Sequence, residues 1–373
     1  MVHLHMIFGM FLQISMHLRF PLTNATQQWF VYNITFSPSS PMEKTEASKD
    51  ISSTEVYDDI NELFQTLPQE RNWDGRWLCQ YKGFWCPERC FRPIVSSQRH
   101  FDARDTDILL ASMPKSGTTW LKALIFSIVS RNNYSIDQTP LLTCNPHSLV
   151  TFLEFNVYWG NDSPDLESIP SPRMFSTHMP YELLPNTILE SKCRVVYICR
   201  NPLDQFISHR HFLLENKLER DAEPLAIDEA FEMFCKGIHP FGPFWDHMIG
   251  YWNASLNSSE KVLFLKYEDL KEEIVFSVTK IAEFIGLSFS VEEEKQGLIE
   301  QISRLCSFDN LKSLEVNKFG KSGVIQNSSY FRKGEVGDWT NYLSPLMAER
   351  IEKLMKMKLK GTGLMFNTYC KDG

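Results

Sequence analysis

Residues 107–130 read DILLASMPKSGTTWLKALIFSIVS. The stretch 107–114 is a short apolar run that stops at Pro114, and 116–130 is an apolar run of helical length. A strand, a tight turn with Gly and a helix in that order open a βαβ unit. The turn itself, PKSGTTW at 114–120, sits where a helix start gathers backbone N–H groups and the positive end of the dipole. Ser116, Thr118 and Thr119 add hydroxyl donors, and Lys115 adds a mobile cation. In composition this is a phosphate cradle. An ordinary helix capped by Ser116 or Thr118 fits the same residues. The turn is not a Walker A loop, whose Lys directly follows the second Gly; here Lys115 precedes Gly117. From the entrance, a Lys reaches the distal end of a bound 5′-group.

Outward from this unit the pattern recurs. RMFSTHM (173–179), RVVYICR (194–200) and KVLFLKYEDL (261–270) read as strands, with helices at 203–215, 225–237 and 271–285 between or after them. Near-continuous apolar strands alternating with helices predict an α/β fold with a central, mostly parallel sheet covered on both faces. Upstream, 55–66 has helical spacing, while WLCQYKGFWCPERC (77–90) is aromatic and irregular. The polar, Gly- and Ser-containing segment 315–333 reads as a mobile surface loop.

Composition narrows the function. With 43% hydrophobic and 23% charged residues, the 373-residue chain has the balance of a globular protein with a core. A net charge of −8 excludes a broad basic surface for nucleic acid, so any anionic ligand needs a local cluster of cations. Nine scattered cysteines without a CxxC pair read as reduced core residues of a reducing compartment, the cytoplasm. The apolar start MVHLHMIFGMFLQISMHLRF is broken by Gln13, His17 and Arg19, short of a membrane span. At Met42 the character turns to MEKTEASKD. We expect Met42 to be the natural start and residues 1–41 a disordered or spurious extension.

Three further motifs carry chemistry. In STHMP (176–180), His178 ends a short strand, where ligands bind in open α/β sheets. A neutral imidazole there would take a proton from an attacking hydroxyl, although a lone His is more often structural. In YICRNPLDQFISHRHF (197–212), Arg200 ends a strand and Ser208 follows in the next helix. The two would share a phosphate, or Arg200 would pair with Asp204. In FRKGEVGDW (331–339), Arg332 and Lys333 precede Gly334, whose bare backbone permits close approach to a ligand. Solvated surface charge is the alternative for both cations.

Their order and combination, PKSGTTW, THMP, CRNPLDQFIS and RKGEVGDW, resemble the soluble sulfotransferases that use 3′-phosphoadenosine 5′-phosphosulfate (PAPS), across about residues 55–370. KGFWC, NPH, FGPFW, KYEDL, LCSF and LEVNK look like the plant branch, whose acceptors are flavonols, hydroxyjasmonate, brassinosteroids or desulfoglucosinolates. The resemblance implies one sulfotransferase domain over 42–373, PAPS as co-substrate, no metal, and a small hydroxylated acceptor, with neither nucleic acid nor membrane as partner. It implies that Lys115, Ser116, Gly117, Thr118, Thr119 and Trp120 hold the 5′-phosphosulfate. Arg200, Ser208, Arg332, Lys333 and Gly334 would hold the 3′-phosphate, and Tyr267, Cys306 and Phe308 would contact adenine, with Trp120 and Phe308 stacking on it. His178 would be the general base, and Lys115 would stabilise the leaving phosphate.

The chain departs from the animal enzymes at Ser176, where they carry Lys, at Cys306, where they carry Thr, and in TNYLSPLMAE (340–349), which keeps only Glu349 of their dimer motif. The oligomeric state is therefore left open. Phe152, Phe155, Tyr158, Trp159, Phe241, Phe244 and Trp245 would line an apolar acceptor pocket or pack the core. A magnesium-dependent kinase and a non-catalytic nucleotide-binding protein are the competing readings. Against the kinase stand the position of Lys115 and the lack of a strand-end Asp for magnesium.

Overall fold

The structure, a computed structural model, describes residues 53–216 and 225–366. The expectation for residues 1–41 lies outside them. A five-stranded sheet organises the fold: β1 Ile108–Ser112, β2 Thr151–Phe152, β3 Met174–Thr177, β4 Arg194–Cys199 and β5 Val262–Lys266. Their spatial order is β2-β3-β1-β4-β5, and every pairing is parallel. Alternation along the strands explains the two cores. Leu109 and Ala111 with Val195, Tyr197 and Cys199 face one hydrophobic cluster, while Ile108, Leu110, Val196 and Ile198 face the other. A sheet buried on both faces needs apolar residues at odd and even positions alike, which is why its strands read as continuous runs.

The two ends of this sheet are built differently. At the N-terminal edge, Arg173 Nε donates to Asp107 Oδ1 at 2.8 Å, and both side chains are buried. That closes the lower edge with a paired charge. At the C-terminal edge β1 runs into the 113–117 turn and then α1, Thr118–Ser130; β4 runs through Arg200 into α2, Pro202–Glu215. Because β3 and β4 flank β1 and the chain leaves it in opposite directions, this edge is the topological switch point at which such sheets bind ligands.

Two segments differ from their sequence reading. Residues 77–90 are not irregular: Trp77–Tyr81 and Phe84–Pro87 pair antiparallel, with Gln69–Arg71 added outside, followed by a helix from Glu88. The aromatic density hid a hairpin that turns at Lys82 and Gly83, both at positive φ. Segment 315–333 is no plain loop either. It holds the helix Glu315–Phe319, the short pair Lys321–Ser322 and Ile325–Gln326, and a 3-10 turn Asn327–Tyr330. Two of its polar residues point inward: Asn317 and Asn327 are buried and donate to the carbonyls of Leu311 and Val316, both at 2.8 Å. Asn side chains serving backbone carbonyls look like a solvated loop in sequence. Smaller shifts occur elsewhere. The strand expected to run to residue 270 ends at Lys266, so Tyr267 opens a helix, Tyr267–Glu272.

Candidate active site

Four adjacent strand ends supply the site: β1 the Lys115 turn, β3 His178, β4 Arg200 and β5 Tyr267. Lys115 and Gly117 both take positive φ, 67° and 109°. At Gly117 a Cβ would lie 2.9 Å from the Tyr267 ring and 3.0 Å from Ile198, so only Gly lets the turn pass. Gly117 caps α1 with no side-chain hydrogen bond. Of the two hydroxyls that would otherwise cap the helix, Thr118 bonds Ser112 Oγ at 2.7 Å, and Ser116 Oγ is buried without a partner. The amides of the first turn are therefore left for an anion. Lys115 Nζ donates to the Ser329 carbonyl at 3.2 Å and lies 4.5 Å from the Phe212 ring centre. Burial, aided by the nearby Arg200 and Arg332 guanidinium groups, pulls its pKa down to about 7.

His178 is buried, and its Nδ1 lies 2.7 Å from the Ser112 carbonyl. A carbonyl only accepts, so Nδ1 carries the hydrogen and Nε2 keeps a free lone pair. Burial lowers the pKa of the ring to about 3, which keeps it neutral at pH 7. Its ring centre lies 4.7, 6.0 and 5.5 Å from those of Phe152, Phe155 and Phe241. Three of the seven aromatic candidates thus surround the imidazole. Phe244 instead stacks on Phe234 at 4.6 Å with Trp245 packed on its edge, Tyr158 is core, and Trp159 is exposed.

On the other side, Arg200 lies over the Tyr267 ring at 4.5 Å and donates through Nη2 to the Glu335 carbonyl. The alternative pairing with Asp204 is present but long, 3.8 Å, because Asp204 accepts from the amides of Gly337 and Trp339 at 2.7 and 3.0 Å. Ser208 is buried one turn beyond Asp204 on the same face of α2. Arg332 and Lys333 each donate to Asp338 at 2.6 Å. Burial raises the Asp338 pKa, but hydrogen bonds from Lys333, Arg332 and Asn341 overcome this and hold it at about 2. Lys333 is exposed and held by Asp338, whereas Arg200 and Arg332 each retain a buried Nε without a partner. Gly334 has φ 68°, and a Cβ there would come within 2.6 Å of the Phe308 ring. Its carbonyl accepts from Tyr267 Oη at 3.0 Å and Lys271 Nζ at 2.6 Å.

The motifs therefore meet. Ser116 and Arg200 line one small cavity, and Lys115 feels the charge of both Arg200 and Arg332. Trp120 packs edge-on against Tyr267 at 5.5 Å, and Phe308 packs on Gly334, so the two rings belong to one wall through Tyr267. Cys306 is fully buried and bonds Ser127 Oγ at 3.4 Å.

Sequence reading missed the groups that hold these in place. Fully buried Glu154 accepts from the His178 amide at 2.7 Å and from Thr177 Oγ1 at 3.0 Å; burial raises its pKa to about 7. Lys122, His147 and Asp338 were likewise passed over, and Asp204 was read only as a partner for Arg200. A lone acid in TFLEFNVYW and a lone Lys in TTWLKALIFSIVS were the available signals, since unpaired charge in an apolar stretch must be satisfied internally.

The sulfotransferase domain family matches residues 105–363. Cytosolic sulfotransferase 15 of Arabidopsis thaliana is 48% identical over 313 residues, 83% of this chain and 87% of the relative. Among solved structures, an Arabidopsis thaliana sulphotransferase superposes with TM-score 0.67 at 35% identity, covering 86% of this chain and 100% of that one. A mouse sulfotransferase complexed with PAP, the desulfated nucleotide, gives 0.60 at 29% identity over 76% of this chain and 94% of its own. The strand ends, the Lys115 turn and the chain-length likeness agree: this chain belongs to the sulfotransferase family, among the plant cytosolic enzymes.

Proposed function

We propose that this sulfotransferase moves the sulfuryl group of PAPS to the hydroxyl of a small aromatic or hydrophobic acceptor, with His178 as general base and Lys115 stabilising the leaving phosphate. The observation that carries this is the meeting of a helix-start phosphate cradle and a neutral imidazole at adjacent strand ends. His178 offers Nε2 as proton acceptor because Ser112 holds the hydrogen on Nδ1. The acceptor oxygen attacks sulfur, the bond from sulfur to the phosphate oxygen breaks toward PAP, and the acceptor's proton passes to Nε2. Lys115 sits at the entrance to meet the charge that builds on that oxygen.

The donor fits the residues present. Partnerless buried atoms of Ser116, Arg200 and Arg332 and the two close approaches at Gly117 and Gly334 support a bis-phosphorylated nucleotide between them. Ser208 and Lys333 would complete the 3′-phosphate site, and Trp120, Tyr267, Cys306 and Phe308 the wall against adenine. Phe152, Phe155 and Phe241 around His178 favour a flat or apolar acceptor over a sugar. The names of the relatives support a cytosolic location.

The full chain should transfer sulfate from PAPS to at least one member of a panel of phenols, flavonols, hydroxysteroids and hydroxylated fatty-acid derivatives. His178→Ala should lower kcat by about 10²–10⁴, the usual contribution of a general base, while PAP binds as in the wild type. Equal loss of PAP affinity would remove His178 from the catalytic role.

A further inference from the structure

Among the buried basic groups that the chemistry above leaves unused, Lys122 lies nearest in sequence to the cradle. Lys122 lies on α1, is fully buried, and is three residues beyond Thr119, so the two share a helix face. One imidazole spans them. His147 Nδ1 is 3.0 Å from Lys122 Nζ, and His147 Nε2 is 2.9 Å from Thr119 Oγ1. The ring is fixed from all sides. Tyr330 lies 4.1 Å from one part of it, and Phe152 stacks at 5.5 Å. The His147 amide donates to Asn145 Oδ1 at 2.9 Å, and Asn145 donates in turn to buried Asn317 at 2.8 Å.

A hydrogen on each of the two Lys122 contacts sets the direction of this chain. Lys122 Nζ sits 3.4 Å from the Phe152 ring centre, an approach that an amine nitrogen makes with its N–H hydrogens toward the ring face. Burial lowers the Lys122 pKa well below its ordinary value; as amine or ammonium, Nζ has at least two hydrogens, one for the ring face and one to donate to Nδ1. The neutral His147 ring then carries its single hydrogen on Nε2 and donates to Thr119. With that lone pair taken, the Thr119 hydroxyl hydrogen must point away from His147. Thr119 is half-buried in the first turn of α1, beside the cradle.

We propose that Lys122 and His147 are positioning residues that turn Thr119 into a directed hydrogen-bond donor toward the 5′-phosphosulfate, carrying the influence of a buried amine into the cradle without exposing it. This rests on the cradle being the donor site.

A double-mutant cycle on PAP affinity tests the relay, with PAPS KM, acceptor KM and kcat measured alongside. Thr119→Val, His147→Phe and Lys122→Met should each weaken PAP binding roughly 10-fold, the scale of a hydrogen bond to a charged group, with acceptor KM unchanged. Thr119→Ser keeps the hydroxyl and should bind as the wild type. In the Thr119→Val background, His147→Phe should add less than about 2-fold, since the pair acts through one atom. Additive losses, or His147→Phe binding PAP like the wild type, overturn the relay. Should His147→Phe fail to fold, His147→Gln, which keeps a donor, must bind PAP more tightly than Thr119→Val or the relay is wrong. Wild-type protein that fails to bind PAP would instead sink the donor-site reading itself.

Discussion

Lys115 shows how one side chain can be tuned by its neighbours before any ligand arrives. Burial, then Arg200 and Arg332, lower its pKa to about 7 from an ordinary 10.5. An anion placed against it opposes all three effects and raises the pKa again. Between pH 7 and 10 the free protein therefore lacks much of the proton that the complex holds. PAP binding at pH 8 should take up a fraction of a proton approaching one, read as a buffer-dependent binding enthalpy in calorimetry. Affinity should weaken as pH rises above 7. Lys115→Met should abolish the lysine's share of the uptake, and uptake unchanged in that variant would contradict the assignment. The sequence made Lys115 and His178 legible because their neighbours, Gly117 and a strand end, fix what they can do. It did not reveal Glu154 or Asp338, whose roles depend on chain that returns from a distance. Asp338 is legible only once Arg332 and Lys333 are seen to converge on it.

At the scale of elements, the strands were legible and the closing segment was not. A strand buried on both faces announces itself through an unbroken apolar run, as 194–200 does. Segment 315–339 closes over the strand ends with buried Asn residues and carbonyl contacts: Ser329 to Lys115, Gly334 to Tyr267, Glu335 to Arg200. Backbone contacts leave no residue signature, which is why 315–333 reads as a surface loop in sequence. Gly334 is the exception, since only its lack of a side chain permits φ 68° against Phe308. Gly334→Ala would set a Cβ into that ring and strain the backbone by about 1–2 kcal/mol. We expect PAP affinity to fall roughly 10-fold, with the melting temperature lowered by only a few degrees. Binding unchanged in Gly334→Ala would show that this stretch does not shape the nucleotide site.

The whole molecule carries a cost that no single element shows. His147, His178, His209, His239 and His247 are all lowered by burial, His178 and His239 to about 3 and His247 to about 4. The unfolded chain protonates these rings near pH 6.5. Below that pH it binds protons the native state refuses, so stability falls as pH falls, from 6.5 down to about 4, where His247 begins to titrate in the native state. Each ring contributes up to about 1.4 kcal/mol per pH unit. Glu154 acts in the opposite sense. Its native pKa of about 7 exceeds the ordinary 4.5, so it binds a proton on folding in this window and offsets one histidine. Burial raises Glu182, Asp246 and Glu268 in the same sense as Glu154. Each ring left uncompensated still costs up to about 2 kcal/mol over one and a half units, a sizeable share of a typical domain's stability of about 5–15 kcal/mol. The melting temperature should therefore drop steeply between pH 6.5 and 5, well above the range in which carboxylates such as Asp338 lose their pairing. His239→Gln should flatten that slope by about one proton, because His239 lies in the core against Trp73 and Phe234 rather than at the strand ends. A melting temperature level from pH 7 to 5 would mean that these imidazoles charge in the folded state, and the neutral, proton-accepting His178 would lose its physical basis with them.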